Sequence, residues 1–165
     1  MSQFENQDWY HTIYGELTKV ILPNTPLSCG RGMRMIVWVD SDHSGEFLTS
    51  WSRKGYLIFL NGYTIYWFSK NIPSIGKINF GARLCAIKQV TEYVYGLRYK
   101  LIMMGLPCDD PTYVYGGNQS VLANTSAPAS QLKKKTNYFA YYFVREGVAQ
   151  DEWRTTYVIT HDNTS

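Results

Sequence analysis

The sequence predicts an α/β fold in which a mixed five-stranded sheet begins with an antiparallel meander of three strands and is flanked by helices. Aromatic residues make up 16% of the 165 residues, 14 of them tyrosines, and many fall in short extended runs that favour strands. After Pro73 the apolar residues instead recur at helical spacing. A hydrophobic share of 45% suits one compact domain with a sizeable core.

The first elements follow from breakers and short apolar runs. Residues 1–34 are predicted to form an irregular lead-in, because prolines and glycines interrupt any regular element there, and the domain itself occupies 35–165. Three strands are predicted over 35–39, 56–60 and 64–68. The pair Asn61-Gly62 separates the last two strands and favours a tight turn, since both residues tolerate positive φ.

The later elements change in periodicity. One apolar stripe predicts a long helix that stops at Gly105 and Pro107. A fourth strand over 113–115, helical segments that include a helix over 137–148, and a fifth strand over 155–160 follow. The stripe consists of Phe80, Leu84, Ile87, Val94, Leu97, Leu101 and Met104.

Composition excludes several classes of function. The net charge of +3 and the pI near 8.7 are compatible with nucleic acid binding without indicating it. The cysteines Cys29, Cys85 and Cys108 form no CxxC pair, so neither a zinc site nor a disulfide framework is predicted. The sequence contains no membrane-spanning run and no signal peptide, so we expect an intracellular protein, cytoplasmic or nuclear, that is not secreted and has no membrane partner.

The first candidate for chemistry is the end of the first strand. Asp40 terminates this strand and Asp42 and His43 follow it, so a carboxylate there could face a cation. The alternative is an ordinary turn in which both aspartates accept backbone hydrogen bonds. The second candidate is the end of the fourth strand, where Gly116-Gly117 breaks the extended run.

A series of short motifs makes the chain similar to a known family. From about Trp9 to the last residue, the chain resembles the RNase H domain of copia-type LTR retrotransposon polyproteins. The order and spacing of the motifs carry the resemblance. The motifs are 39–45 (VDSDHSG), 54–61 (KGYLIFLN), 65–70 (IYWFSK), 96–101 (GLRYKL), 103–105 (MMG), 118–121 (NQSV), 132–135 (LKKK) and 143–147 (FVREG).

The resemblance implies an RNase H fold that hydrolyses the RNA strand of RNA–DNA hybrids during reverse transcription, with two Mg²⁺ ions held by four carboxylates. It also implies the reverse transcriptase domain of a parent polyprotein as a partner. At the four carboxylate positions, Asp40 is retained, Arg83 occupies the glutamate position and Gly117 occupies an aspartate position. The fourth position would follow Ser165. We therefore expect the chain to be catalytically inactive or nearly so, with weak or absent Mg²⁺ binding.

Two arrangements of Arg83 are open. Its guanidinium either pairs with Asp40 in the place of the ions or turns out to solvent from the start of the helix.

The resemblance further implies a final helix that this chain lacks, which predicts exposed apolar surface beside the strand over 155–160 and self-association. A non-catalytic module that binds hybrids, and an enzyme that borrows ligands from a partner chain, are the alternatives.

By the same resemblance, substrate binding falls to polar and basic side chains. Gln119 matches a position that contacts the minor groove of the hybrid, with Asn118 beside it. The run Lys133, Lys134 and Lys135 could contact phosphates or could be a solvated lead-in to a helix. Further candidates for phosphate contact are Lys70, Arg98 and Lys100, whereas Tyr142 is interpreted as a packing residue.

Overall fold

The computed structural model describes residues 23–42, 51–73, 80–117, 119–126 and 137–158 and confirms the predicted α/β fold. The five strands form one mixed sheet in the order β3-β2-β1-β4-β5. The elements in chain order are β1 (Met35–Asp42), β2 (Trp51–Leu60), β3 (Tyr63–Pro73), α1 (Phe80–Met103), β4 (Thr112–Gly116), α2 (Gln119–Ser126), α3 (Tyr138–Ala149) and β5 (Trp153–Tyr157).

The first three strands form the predicted antiparallel meander. The turn between β2 and β3 lies at the predicted pair, where Asn61 has φ 51° and Gly62 has φ 90°. Strand β4 then pairs in parallel with β1, and β5 pairs in parallel with β4. Parallel neighbours need a crossover connection, which α1 provides before β4 and α3 provides before β5.

The path of the chain brings the starts of the three described helices to one edge of the sheet. Helix α1 leads into the start of β4, so it runs from the carboxyl edge of β1 and β4 back to their amino edge. Helix α2 begins directly after β4. Helix α3 has 12 residues, about 18 Å, and leads into Trp153, which pairs with Thr112 at the amino edge. The first turns of all three helices therefore lie towards the carboxyl edge.

The core lies between one face of the sheet and the helices. Val37, Ile58 and Val114 are fully buried on the strands, and Leu84 and Val94 are fully buried on α1. The predicted stripe on α1 is confirmed at Leu84, Ile87, Val94 and Leu101. It is wrong at Met104, which is 70% exposed because α1 ends at Met103 and Gly105 turns the chain with φ 79°.

Tyr56 should make the free energy of unfolding depend on pH. Burial, followed by the neighbouring phenols of Tyr66 and Tyr93, raises the pKa of Tyr56 to about 12. The unfolded phenol titrates near pH 10, so between these values the unfolded state has lost a proton that the folded state keeps. This group should leave the free energy of unfolding unchanged below about pH 10 and lower it by on the order of 2 kcal/mol as the pH rises towards 12.

Urea unfolding of the wild type and of Tyr56→Phe, each at about pH 9 and about pH 11.5, checks this expectation. The variant should lose less stability between the two pH values than the wild type does. Equal losses would contradict the assignment to Tyr56.

The ends of the domain differ in part from expectation. The boundary between 1–34 and 35–165 stays a prediction, although residues 23–34 form neither helix nor strand. This segment is fixed to the turn after α1, because the amide of Cys29 donates to the carbonyl of Gly105 at 2.8 Å and the amide of Met33 donates to that of Pro107 at 2.7 Å. Strand β5 begins two residues earlier than predicted, since its pairing with β4 starts at Trp153.

The exposed apolar surface expected beside β5 is not found within residues 153–158. Trp153, Thr155 and Thr156 are buried and Tyr157 is half-buried. Large exposed apolar side chains lie elsewhere, as at Trp67 on β3 and Phe139 on α3. None of the described helices has the length and apolar character needed to cross a membrane.

Candidate functional site

The parallel pairing of β1 and β4 brings two predicted site positions together. Val39 lies beside Gly116 in the register, so the next residues, Asp40 and Gly117, are neighbours at the carboxyl edge. Adjacent strands lie about 4.8 Å apart. The backbone therefore holds position 117 where a second carboxylate would face Asp40, but glycine supplies no side chain there.

Arg83 approaches the same edge from the first turns of α1. Its side chain is half-buried, and its Nε is buried without a hydrogen-bond partner. Both predicted arrangements of Arg83 stay predictions, and the structure adds that Nε makes no hydrogen bond. An unsatisfied buried N–H is unfavourable by about 1 to 3 kcal/mol, so this donor favours an anionic acceptor at the site.

The surrounding backbone adds positive potential. The first turns of α1, α2 and α3 contain no acidic residue, although acidic side chains are favoured at helix starts. The partial positive charges of these helix N-termini are therefore not offset by carboxylates of their own. Among the described side chains, the carboxyl edge combines Asp40 with Arg83 and the starts of these three helices.

The described side chains at this edge do not fit a pair of Mg²⁺ ions. Two neighbouring cations need several carboxylates, whereas the three positions that the structure describes hold Asp40, Gly117 and the cationic Arg83. Across the described part of the chain, no group of three or more His, Cys, Asp and Glu side chains could hold a metal ion. An arginine whose own Nε lacks an acceptor repels a cation and attracts an anion.

The structure describes only some of the predicted substrate contacts, and not all of these lie at the carboxyl edge. Gln119 is the first residue of α2 and is exposed at the carboxyl edge. Asn118, Lys133, Lys134 and Lys135 lie outside the described residues, as does the side chain of Asp42. Lys70 is exposed on β3. Lys100 is exposed too, but it lies 17 positions after Arg83, or about 26 Å along α1, so it belongs to the other end of the molecule.

The prediction that Arg98 contacts phosphates is wrong, because this side chain is only 2% exposed. Its Nε donates to Oε2 of Glu152 at 2.7 Å. Its terminal nitrogens donate to the carbonyl oxygens of Asp110 at 2.7 Å and Cys108 at 2.8 Å. The helical spacing could have revealed this role, since residue 98 lies on the same stripe as the buried Val94 and Leu101.

A cluster of aromatic rings at the start of α3 was not predicted from the sequence. Tyr138, Phe139 and Tyr142, here called the ring cluster, are 52%, 85% and 43% exposed. The rings of Tyr138 and Tyr142 lie 4.4 Å apart, and Phe139 meets Tyr138 edge to face at 5.9 Å. The interpretation of Tyr142 as a packing residue is therefore only partly correct, since its packing partners include the exposed ring of Tyr138.

The ring cluster adjoins the first turn of α1. A Cβ added to Gly81 would lie 2.6 Å from Nδ2 of Asn137, the residue that precedes α3. Gly81 stands two positions before Arg83. This contact places the start of α3 against the helix turn that carries the unpaired Nε.

The sequence is similar to two retrovirus-related Pol polyproteins of Arabidopsis thaliana, from transposons RE2 and RE1. Identity is 22% over 136 residues in both cases. The match covers 82% of this chain but 9% of each polyprotein, so the chain spans less than a tenth of their length. No protein-family model matches the chain.

Solved structures of RNase H proteins share the fold. RNase H1 of the archaeon Halobacterium salinarum is similar with a TM-score of 0.57 and 17% identity, covering 79% of this chain and 89% of that one. LC11-RNase H1, solved in complex with an RNA/DNA hybrid, gives a TM-score of 0.59 and 15% identity with the same two coverages. The chain therefore has an RNase H-like fold, and its sequence is similar to retrovirus-related Pol polyproteins of transposons.

Proposed function

We propose that this chain binds RNA–DNA hybrids at the carboxyl edge of the sheet and does not cleave them by the two-metal reaction. The observation that carries the proposal is the set of three described positions, where a carboxylate, a glycine and an arginine stand at Asp40, Gly117 and Arg83. LC11-RNase H1 was solved with an RNA/DNA hybrid, and so was the foamy viral protease–reverse transcriptase, which is similar with a TM-score of 0.50 over 20% of its length.

The loss of cleavage follows from charge. Two-metal hydrolysis needs carboxylates that hold both cations against the attacking water and the leaving oxygen. Glycine at position 117 supplies no such ligand. The permanent positive charge of Arg83 repels the metal ions themselves. Asp40 alone does not offset the charge of two divalent ions.

The same change suits a backbone phosphate. The guanidinium of Arg83 pairs well with phosphate oxygens, and its buried Nε is a donor without a partner. The N-termini of α1, α2 and α3 carry partial positive charge, which also favours a phosphate. Exposed Gln119 stands at the start of α2, and we propose that its amide contacts the minor groove of the hybrid. The site that would hold cations in an active enzyme instead binds phosphate directly.

A cleavage assay tests the first half of the proposal. With Mg²⁺ or Mn²⁺ and an RNA–DNA hybrid, the wild type should release no more product than buffer does. The double variant Arg83→Glu, Gly117→Asp should bind Mg²⁺ measurably by calorimetry, because it returns two carboxylates beside Asp40. Metal-dependent cleavage by the wild type would overturn the proposal.

A binding assay tests the second half. Arg83→Ala should weaken hybrid binding by about tenfold at low salt and reduce the salt dependence of binding, as expected for the loss of a phosphate contact. The matched control is Arg154→Ala. Arg154 is a half-buried arginine that pairs with Asp151 at the amino edge, so its loss should leave affinity almost unchanged. Equal effects of the two substitutions would place hybrid binding somewhere other than the carboxyl edge.

A further inference from the structure

We infer that the ring cluster at the start of α3 stacks unpaired nucleotide bases next to the hybrid, so that the preferred ligand is a hybrid with a single-stranded extension. This inference rests on the proposed function and adds a second contact surface to the same site. The cluster consists of Tyr138, Phe139 and Tyr142, which lie within one turn and a third of α3.

All three rings of the cluster are exposed to solvent. Phe139 is 85% exposed and has no hydroxyl group to hydrogen-bond with water, so its ring is unfavourably placed unless a ligand covers it. Tyr138 and Tyr142 share a tilted contact at 4.4 Å, which fixes their rings relative to each other. The three side chains thus form a pre-arranged apolar surface rather than three independent side chains.

The ring cluster lies close to the helix turn that carries Arg83. Asn137 at the start of α3 lies against Gly81 in the first turn of α1, and Arg83 belongs to the same turn. The ring cluster is therefore next to the edge where the hybrid phosphates would bind. A polynucleotide that contacts Arg83 through its backbone would meet the rings within a short length of chain.

Charge and chemistry decide between kinds of ligand. The first turns of all three helices at this edge lack acidic residues, which suits a polyanion. Bases inside a duplex are already stacked on their neighbours, whereas unpaired bases expose their faces to aromatic side chains. Stacking does not depend on base identity, so the cluster should show little sequence preference.

The experiment compares affinities for three probes, which are a blunt RNA–DNA hybrid, the same hybrid with a single-stranded DNA extension, and the single strand alone. The wild type should bind the extended hybrid about tenfold more tightly than the blunt one, the size expected for stacking of one or two bases. The variant Tyr138→Ser, Phe139→Ser should lose this difference and bind both hybrids equally.

The matched control is Tyr95→Ser, Tyr99→Ser. These tyrosines are 52% and 48% exposed on α1, but they lie 12 and 16 positions after Arg83, or about 18 and 24 Å along the helix. The control should keep the preference for the extended hybrid. Circular dichroism of both variants verifies that the fold is intact, as expected for exposed positions.

Each other outcome points to a definite conclusion. Equal binding of both hybrids by the wild type overturns the ring-cluster inference and leaves the proposed function standing. Equal binding of the single strand and the extended hybrid, with no binding of the blunt hybrid, overturns the proposed function and supports stacking on the ring cluster, provided that the ring variant abolishes the binding. If none of the probes binds, both proposals fail. If the ring variant changes only the sedimentation of the protein, the cluster is a protein contact and the inference fails.

Discussion

Replacing Glu152 with alanine is expected to lower the free energy of unfolding by about 3 to 5 kcal/mol, because it leaves the charge of Arg98 buried without its counter-ion. Arg98 and Glu152 are 2% and 5% exposed, and their ion pair joins α1 to the turn before β5. Arg98 also ties that turn to the loop before β4 through the carbonyls of Cys108 and Asp110. Three segments distant in sequence thus depend on one guanidinium.

Denaturant unfolding of Glu152→Ala measures the effect, and Glu92→Ala is the control. Glu92 pairs with Lys88 on the surface of α1, where both side chains are partly exposed, so its loss should change stability by less than about 1 kcal/mol. Arg98→Lys should also be strongly destabilising, since a lysine keeps the charge but cannot make the forked set of bonds. Similar midpoints for Glu152→Ala and Glu92→Ala would contradict a structural role for the buried pair.

Replacing Gly147 with alanine is expected to destabilise the fold by about 3 kcal/mol or more, because the added methyl group would overlap with the indole of Trp153. A Cβ on Gly147 would overlap with Cζ2, Cη2 and Cε2 of that ring. The ring has little freedom to move, since it is 1% exposed and its Nε1 donates to the carbonyl of Val144 at 3.0 Å. Either the ring loses this bond or α3 moves away from β5.

Gly96→Ala provides the matched control within α1. Nothing lies within 4 Å of a Cβ at Gly96, so alanine there should raise stability by about 0.5 to 1 kcal/mol through its better helix propensity. Thermal unfolding of both variants gives opposite expected shifts in Tm. Gly147→Ala should lower the free energy of unfolding by less in a Trp153→Leu background than in the wild type, because the smaller side chain leaves room for the methyl group. A Gly147→Ala protein as stable as the wild type would show that the indole does repack.

The local signals in the sequence predicted most of the fold. Asn61-Gly62 marked the turn of the meander, and the stripe through Leu84, Ile87 and Val94 marked α1, because turn chemistry and periodicity act over a few residues. The roles of Arg98 and Gly147 were not predicted, since both depend on partners more than five positions away in the chain. Arg98 alone left a trace, as a charged residue on the apolar stripe.

The resemblance supplied candidate positions for the site, which stay predictions, but not their geometry. The resemblance to RNase H domains pointed to Asp40, Arg83 and Gly117, and the register of β1 with β4 then showed two of these to be neighbours. The unpaired Nε of Arg83 and the ring cluster could not have been predicted, because exposure and hydrogen bonding are properties of the packed chain. The starts of α1 and α3 meet only once the sheet has brought distant segments together.

Gly81 sets the spacing between the two surfaces proposed to hold a polynucleotide. Because it has no side chain, the start of α3 approaches the first turn of α1 as closely as the amide of Asn137 allows. A larger residue there would leave both the guanidinium and the rings intact while moving them apart. In the proposed binding mode, this change would alter the distance between the end of the duplex and the first stacked base, so the residue at position 81 would determine which junctions fit.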